Sequence, residues 1–223
     1  MERTIWNTLK NHKSDDIYLT HVSLFGNKGK FSINRDKLDD FWDTYCNTLQ
    51  DNPDMRCGVA EKPRPYLPVL VDVDINRKID EDEEPTSIYT ESHVKKLVEI
   101  YQNVLKQILD EYSEEDLTCV FLSKSPYKAK KNDGWYGKHG FHLHFPYIFL
   151  NRVEHEAHLI PRIKDQVAKN KIFEDIGFAD SSSVIDTSYC KVPWLLYGSR
   201  KDVDKDPYLL DYVMDHQQQK IEL

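Results

Sequence analysis

The sequence has no C-x-x-C pair among its 4 cysteines, few glycines (8) and few methionines (3) in 223 residues. Structural zinc sites draw on closely spaced cysteine pairs, so Cys46, Cys57, Cys119 and Cys190 read as reduced, mostly buried thiols. No apolar run approaches the ~20 residues that cross a bilayer, which excludes a membrane-spanning helix as an expectation. Met1 to Lys10 lacks the apolar core of a secretion signal. The setting expected is therefore cytoplasmic or nuclear, not secreted, with no membrane partner. Internal repeats and low-complexity tracts are missing too, which excludes a solenoid. Positive charge is in deficit: 30 Lys and Arg stand against 38 Asp and Glu, net -8. A globally basic nucleic-acid binder is thereby excluded, and any contact with a polyanion must be local.

What is present suffices for a core, with 39% hydrophobic and 12% aromatic residues. Leu38, Phe41, Trp42, Tyr45, Cys46 and Leu49 keep helical spacing behind Asn34, predicting a capped helix to about Gln50. Val94, Leu97, Val98, Tyr101, Val104, Leu105, Ile108 and Leu109 predict a second helix over about 91–112. A third covers about 153–174, interrupted or restarted at Pro161. Strands are expected at 31–33, after the turn from Gly26 to Gly29, and at 66–75, 118–122, 140–150 with a break at Pro146, 184–186 and 208–214. Helices and strands mix without strict alternation, which makes the fold class α+β, or mixed α/β. Asp80 to Glu84 is an acidic run that reads as a solvated loop. Lys124, Lys128, Lys130, Lys131 and Lys138 lie close to Trp135 and Tyr136, a basic and aromatic patch on an acidic chain.

Chemistry concentrates in three places. In Val69-Leu-Val-Asp-Val-Asp-Ile75 strand alternation points Asp72 and Asp74 to the same face, about 7 Å apart at Cα. Two carboxylates on so apolar a strand repel, and a divalent cation relieves the repulsion; hard oxygen donors suit Mg²⁺ or Mn²⁺. In Lys138-His-Gly-Phe-His-Leu-His-Phe145 the alternation puts Lys138, Gly140, His142 and His144 on one face and Phe141, Leu143 and Phe145 on the other. A cation, a bare backbone and imidazole donors suit a triphosphate. In Val184-Ile-Asp186 a third carboxylate follows two β-branched residues, where a turn-initiating role is equally open. Further on, Gly198-Ser-Arg-Lys201 ends an apolar strand in a turn and two cations, a phosphate contact or a plain surface turn.

The order Asp-x-Asp, Gly-x-His, hydrophobic-Asp resembles the three motifs of the archaeo-eukaryotic primase superfamily. The lysine two residues before Gly-x-His is also found in primase-polymerases. Gly137 to Pro146, and Val184-Ile-Asp186 continued by Val192 to Ser199, look like the primase domain of helicase-primases of large DNA viruses of the poxvirus, asfarvirus and mimivirus kind. The resemblance covers about residues 30–211. It implies an RRM-like catalytic sheet joined to a second small α/β lobe, one catalytic domain over 1–214, and 215–223 as the start of a linker to a C-terminal helicase. It implies a nucleotidyltransferase that makes primers on single-stranded DNA during viral replication, in the host cytoplasm or the nucleus.

By the same resemblance Asp72, Asp74 and Asp186 hold two Mg²⁺ or Mn²⁺ ions. His142 contacts the phosphates of a nucleoside triphosphate, and Lys138 and Lys201 hold the triphosphate with Ser199 or Arg200 assisting. Several primase-polymerases carry an arginine six residues before the last lysine, where this chain has Leu195; that contact is absent or comes from Arg200. Template and primer backbone are assigned to Lys124, Lys128, Lys130 and Lys131, with Trp135 and Tyr136 for stacking. Three rival readings are weighed: a nuclease using His142-Leu-His144 and a tyrosine nucleophile, an Asp-x-Asp phosphatase, and a non-catalytic nucleic-acid-binding module. The Asp72/Asp74 pair is surplus to the first, and the second lacks its later acidic pair.

Overall fold

The structure is a computed structural model that describes residues 4–25, 27–52 and 57–222. In chain order the elements are α1 (Ile5–Asn11), β1 (His21–Ser23), β2 (Gly29–Phe31), α2 (Leu38–Asp51), β3 (Val59–Glu61), β4 (Tyr66–Ile79) and α3 (Glu91–Ile108). They continue with β5 (Cys119–Ser123), β6 (Tyr127–Lys131), β7 (Gly134–Asn151), α4 (Arg152–Glu154), α5 (Ile160–Asn170), β8 (Ile185–Asp186), β9 (Trp194–Leu195), β10 (Leu209–Met214) and β11 (Lys220–Ile221). This is the mixed α+β class that the sequence predicts. The chain divides into two compact units, one formed by residues 1–64 with 191–208, the other by 65–190 with 209–223.

The first unit carries a four-stranded antiparallel sheet in the order β2-β1-β3-β9. The hairpin expected before residue 31 forms between β1 and β2, and Gly26 of its turn lies outside the described residues. Helix α2 starts later than predicted: Arg35–Lys37 is a 3-10 turn, and the Asn34 side chain makes no capping bond. Its predicted stripe does build the core, where Phe41 and Tyr45 meet Ile5, Leu9, Phe31 and Val59.

The second unit holds the sheet β11-β10-β5-β7-β4-β8, with β6 paired to the leading end of β7. Val69, Val71, Val73 and Ile75 alternate inward on β4, and Phe141, Leu143 and Phe145 do so on β7. Helix α3 lays Val94, Leu97, Val98, Tyr101 and Leu105 onto that face, and α5 adds Ile163 and Val167. One face of the sheet is thus the core; on the opposite, more polar face His142 and His144 stand beside the buried Leu122 and Leu70.

Several elements differ from the sequence reading in detail, and the expected restart of the third helix at Pro161 is found. Helix α3 ends at Ile108, because Leu109 turns extended after the last buried positions. The third helix is split: α4 is followed by a π-helical turn at His155–Leu159, and α5 begins with Pro161 in its first turn. Proline has no N–H for the i→i−4 ladder, so the interruption falls where its position demands. Strand β7 runs unbroken through Pro146, and the register jumps from Val69↔Phe145 to Pro68↔Phe149. Pro146, Tyr147 and Ile148 form the bulge, which spares the strand the N–H that proline lacks. Within 215–223, expected as the start of a linker, Lys220–Ile221 pair as β11 with Val213 and Met214 of β10.

Candidate active site

Strand β4 is the axis of the site. Asp72 stands directly opposite Asp186 of β8 on one side and directly opposite His142 of β7 on the other. Directly opposed residues point to the same face of a sheet, with Cα atoms about 4.5–5.5 Å apart. Asp186, separated by over a hundred residues of sequence, is therefore a cross-strand neighbour of Asp72. Two residues along β4, Asp74 lies opposite Gly140, and two further on Asn76 lies opposite Lys138. All of these occupy the polar face, away from the valine and phenylalanine core.

His142 is 7% exposed and its Nε2 lies 3.5 Å from Asp72 Oδ1. Burial pushes its imidazole pKa down, and the Asp72 carboxylate opposes that shift in part. The ring is thus kept neutral, able both to donate and to accept. His144, two residues on, is pushed down to about 3 by burial, with His142 adding to the effect. Lys138 Nζ donates to Asp74 Oδ2 at 3.2 Å. Burial lowers the Lys138 pKa, but the charge of Asp74 and the neighbouring Tyr127 outweigh it and the net shift is upward. The cation therefore stays charged at any physiological pH.

Asp186 plays the turn-initiating part as well: its Oδ1 accepts from Ser188 N–H at 2.7 Å. With Asp74 leaning on Lys138 and Asp186 on that amide, no three His, Cys, Asp or Glu side chains among the described residues are gathered closely enough to hold an ion. The donor set fits hard divalent cations in chemistry and in strand placement: three carboxylates on one face, two of them in adjacent register.

The remaining predicted residues fall elsewhere. Ser199, Arg200 and Lys201 belong to the first unit. Ser199 is 2% exposed, and its Oγ accepts from Val59 N–H at 3.1 Å and meets Tyr45 Oη at 3.0 Å and Cys57 Sγ at 3.4 Å. This hydroxyl is committed to the unit's core, so Ser199 acts there as a strut. Arg200 donates to the Lys205 carbonyl at 3.2 Å and reaches Asp206 at 3.5 Å. Lys201 is exposed, and Leu195 sits half-buried on β9. The turn is real: Gly198 has φ +75°, which favours glycine.

The lysine-rich stretch, where the sequence predicts no strand, is the β6–β7 hairpin. Its register separates the predicted contacts by face. Tyr127 opposes Lys138 and Ala129 opposes Tyr136, which shares the carboxylate face with Lys131. Lys128 opposes Gly137 and Lys130 opposes Trp135, on the other face. Sequence reading missed Asn76, Lys78 and Tyr127 on the carboxylate face. The signal for the first two was the alternation of Asp72 and Asp74, carried four residues further.

A sheet that sets three aspartates side by side and backs them with a lysine- and histidine-bearing strand has the design of an archaeo-eukaryotic primase domain. Residues 20–214 match the family described as the C962R protein N-terminal AEP domain, AEP standing for archaeo-eukaryotic primase, and the chain belongs to that family. The helicase-named protein 121R of Invertebrate iridescent virus 3 is 36% identical over 205 residues, covering 87% of this chain and 21% of that protein. The helicase-named 184R of Invertebrate iridescent virus 6 is 30% identical over 218 residues, 92% of this chain and 22% of that one. Acanthamoeba polyphaga mimivirus L207/L206, also named a helicase, is 26% identical over 213 residues, 92% and 20%. The chain thus spans about a fifth of the length of these relatives. Among the described residues no helix is long and apolar enough to cross a membrane.

Proposed function

We propose that this domain is a DNA primase or primase-polymerase, making primers on single-stranded DNA by nucleotidyl transfer in viral replication. The observation that carries the reading is the register of β4, which puts Asp186 and His142 on either flank of Asp72. Asp72, Asp74 and Asp186 would hold two Mg²⁺ or Mn²⁺ ions. When bound, such ions lower the pKa of the attacking hydroxyl and neutralise the leaving pyrophosphate.

The chain's own residues supply position. His142, placed beside Asp72, would offer its one N–H to a phosphate oxygen in place of the Asp72 carboxylate. Lys138, held at the rim by Asp74, supplies the charge for a triphosphate. Arg200 and Lys201, carried by the first unit, are proposed as phosphate contacts in their own right. Lys124 and Lys131 offer charge to a template or primer. The names of the relatives support a helicase region in the same polypeptide, and the setting would be the host cytoplasm or the nucleus.

The test is template-dependent incorporation of labelled ribo- and deoxynucleotides with Mg²⁺ and with Mn²⁺. The wild type should extend or initiate chains, and the Asp72→Ala/Asp74→Ala variant should not. Synthesis by the double variant overturns the proposal, and a covalent protein–DNA adduct in a denaturing gel transfers it to the nuclease reading.

A further inference from the structure

The carboxylate face does not end at Lys138. Beyond it the β6–β7 hairpin and the end of β4 continue as a ribbon, with Lys78 opposite Tyr136 and Tyr127 opposite Lys138. From Asp74 to Lys78 this is four strand residues, about 13 Å. Lysine amines and aromatic rings alternate on it. Lys131 Nζ stands 4.3 Å from the Tyr136 ring centroid, and Lys124 and Lys138 stand 5.1 Å and 5.8 Å from that of Tyr127. Lys78 and Lys131 are exposed. Beside this end Asp133 accepts from Tyr136 Oη at 2.6 Å and lies 4.0 Å from Lys78.

The opposite face of the same hairpin is built differently. There Lys128 donates to the Glu81 backbone carbonyl, and Lys128 and Lys130 close over Trp135 at 5.2 Å and 5.1 Å. It also adjoins the acidic segment, where Arg77 pairs with Glu83 at 3.4 Å. A polyanion approaching that face meets Glu81 to Glu84; one approaching the carboxylate face meets amines that lead toward Asp74.

We propose that the Lys78, Lys131, Tyr127 and Tyr136 face of the hairpin is the track for a single strand of nucleic acid, and that the Lys128, Lys130 and Trp135 face is a structural clasp. The strand's phosphates lie on the amines and its bases on the tyrosine rings. This rests on the primase reading for what happens at the carboxylates, but not for the binding itself. Rings interleaved with cations favour an unpaired strand, whose bases are open to stacking, over a duplex or an acidic peptide.

The experiment is fluorescence anisotropy of a labelled single-stranded oligonucleotide, titrated without divalent metal over a series of salt concentrations. Lys78→Ala/Lys131→Ala should flatten the plot of log affinity against log salt by about 1.4, two contacts at about 0.7 each on a single strand. Lys128→Ala/Lys130→Ala should leave the slope unchanged. Tyr136→Leu should weaken binding about tenfold, within the range for one lost stack, and Tyr136→Phe should restore it, since the ring survives without the Asp133 bond. Equal loss of slope in both lysine pairs overturns the proposal, as does equal weakening by Tyr136→Phe and Tyr136→Leu. Matched melting temperatures keep misfolding from imitating either result. Because no catalysis is read, a primase with an unaffected Lys78/Lys131 slope refutes only the track, and a strand-binding domain without synthesis refutes only the primase.

Discussion

At the scale of the residue, the division between chemistry and scaffold is drawn by what each polar atom already holds. Ser199 looks from sequence like a phosphate contact, yet its Oγ ties Val59 N–H, Tyr45 and Cys57 together inside a core. Ser199→Ala strips a buried amide of its acceptor and should cost about 1–3 kcal/mol of stability in chemical denaturation. A change in nucleotide affinity at unchanged stability would contradict this role. His21 is a second buried polar group, 0% exposed beside Phe41 and Trp42. Burial lowers its pKa from 6.5 to about 4, with Arg64 pushing the same way. Between those values the unfolded chain binds a proton that the folded one refuses. Its contribution to stability is therefore whole above about pH 6.5 and is lost as pH falls toward 4, at up to about 1.4 kcal/mol per pH unit. Proton NMR of the His21 ring checks the cause: titration near the ordinary histidine value would remove it.

At the scale of the element, legibility followed periodicity. The inward stripes of α2 and α3, and the opposite faces of β4 and β7, could be read because burial repeats every 3.6 or 2 residues. The same period put Asp72 with Asp74, and Lys138 with His142, each pair on one face of its own strand. What it does not encode is which strand lies beside which. The Asp72–Asp186 register, on which the site depends, comes from β8, a strand of only two residues behind a 3-10 turn, too short for a pattern. The β6–β7 hairpin was hidden for another reason: its residues are lysines and tyrosines, so alternation carries no contrast between apolar and polar. Its turn carries Asn132, Asp133 and Gly134, the last at φ +138° with a Cβ position 3.1 Å from Lys78 Cε. Gly134→Ala should therefore cost about 1–3 kcal/mol locally. Hydrogen exchange should speed up in Tyr127–Lys131 while Cys119–Ser123 keeps its protection, and uniform protection in both would show that the hairpin does not need the glycine.

At the scale of the whole molecule, neither unit is a continuous stretch of chain. The second is closed by residues 209–223, which add β10 to the edge of β5 and β11 beyond it. Met214 is fully buried there, and Gln102 from α3 donates to the carbonyls of Leu117 and Asp215, both at 2.8 Å. The family match ends at residue 214, inside this closure and not at a loose tail. A chain stopped after Tyr208 would leave β5 as an open edge and strip Phe121 of its Tyr212 neighbour, whose rings lie 4.7 Å apart. Unpaired edges of that kind invite association between copies. The truncated chain should melt well below the 223-residue form and elute as aggregate in size exclusion, whereas removal of 220–223 alone should leave it monodisperse with a small loss of stability. A stable, soluble product of the longer truncation would show that the carboxylate sheet stands without its last strands, and that β4, β7 and β8 suffice to hold Asp72, His142 and Asp186 in register.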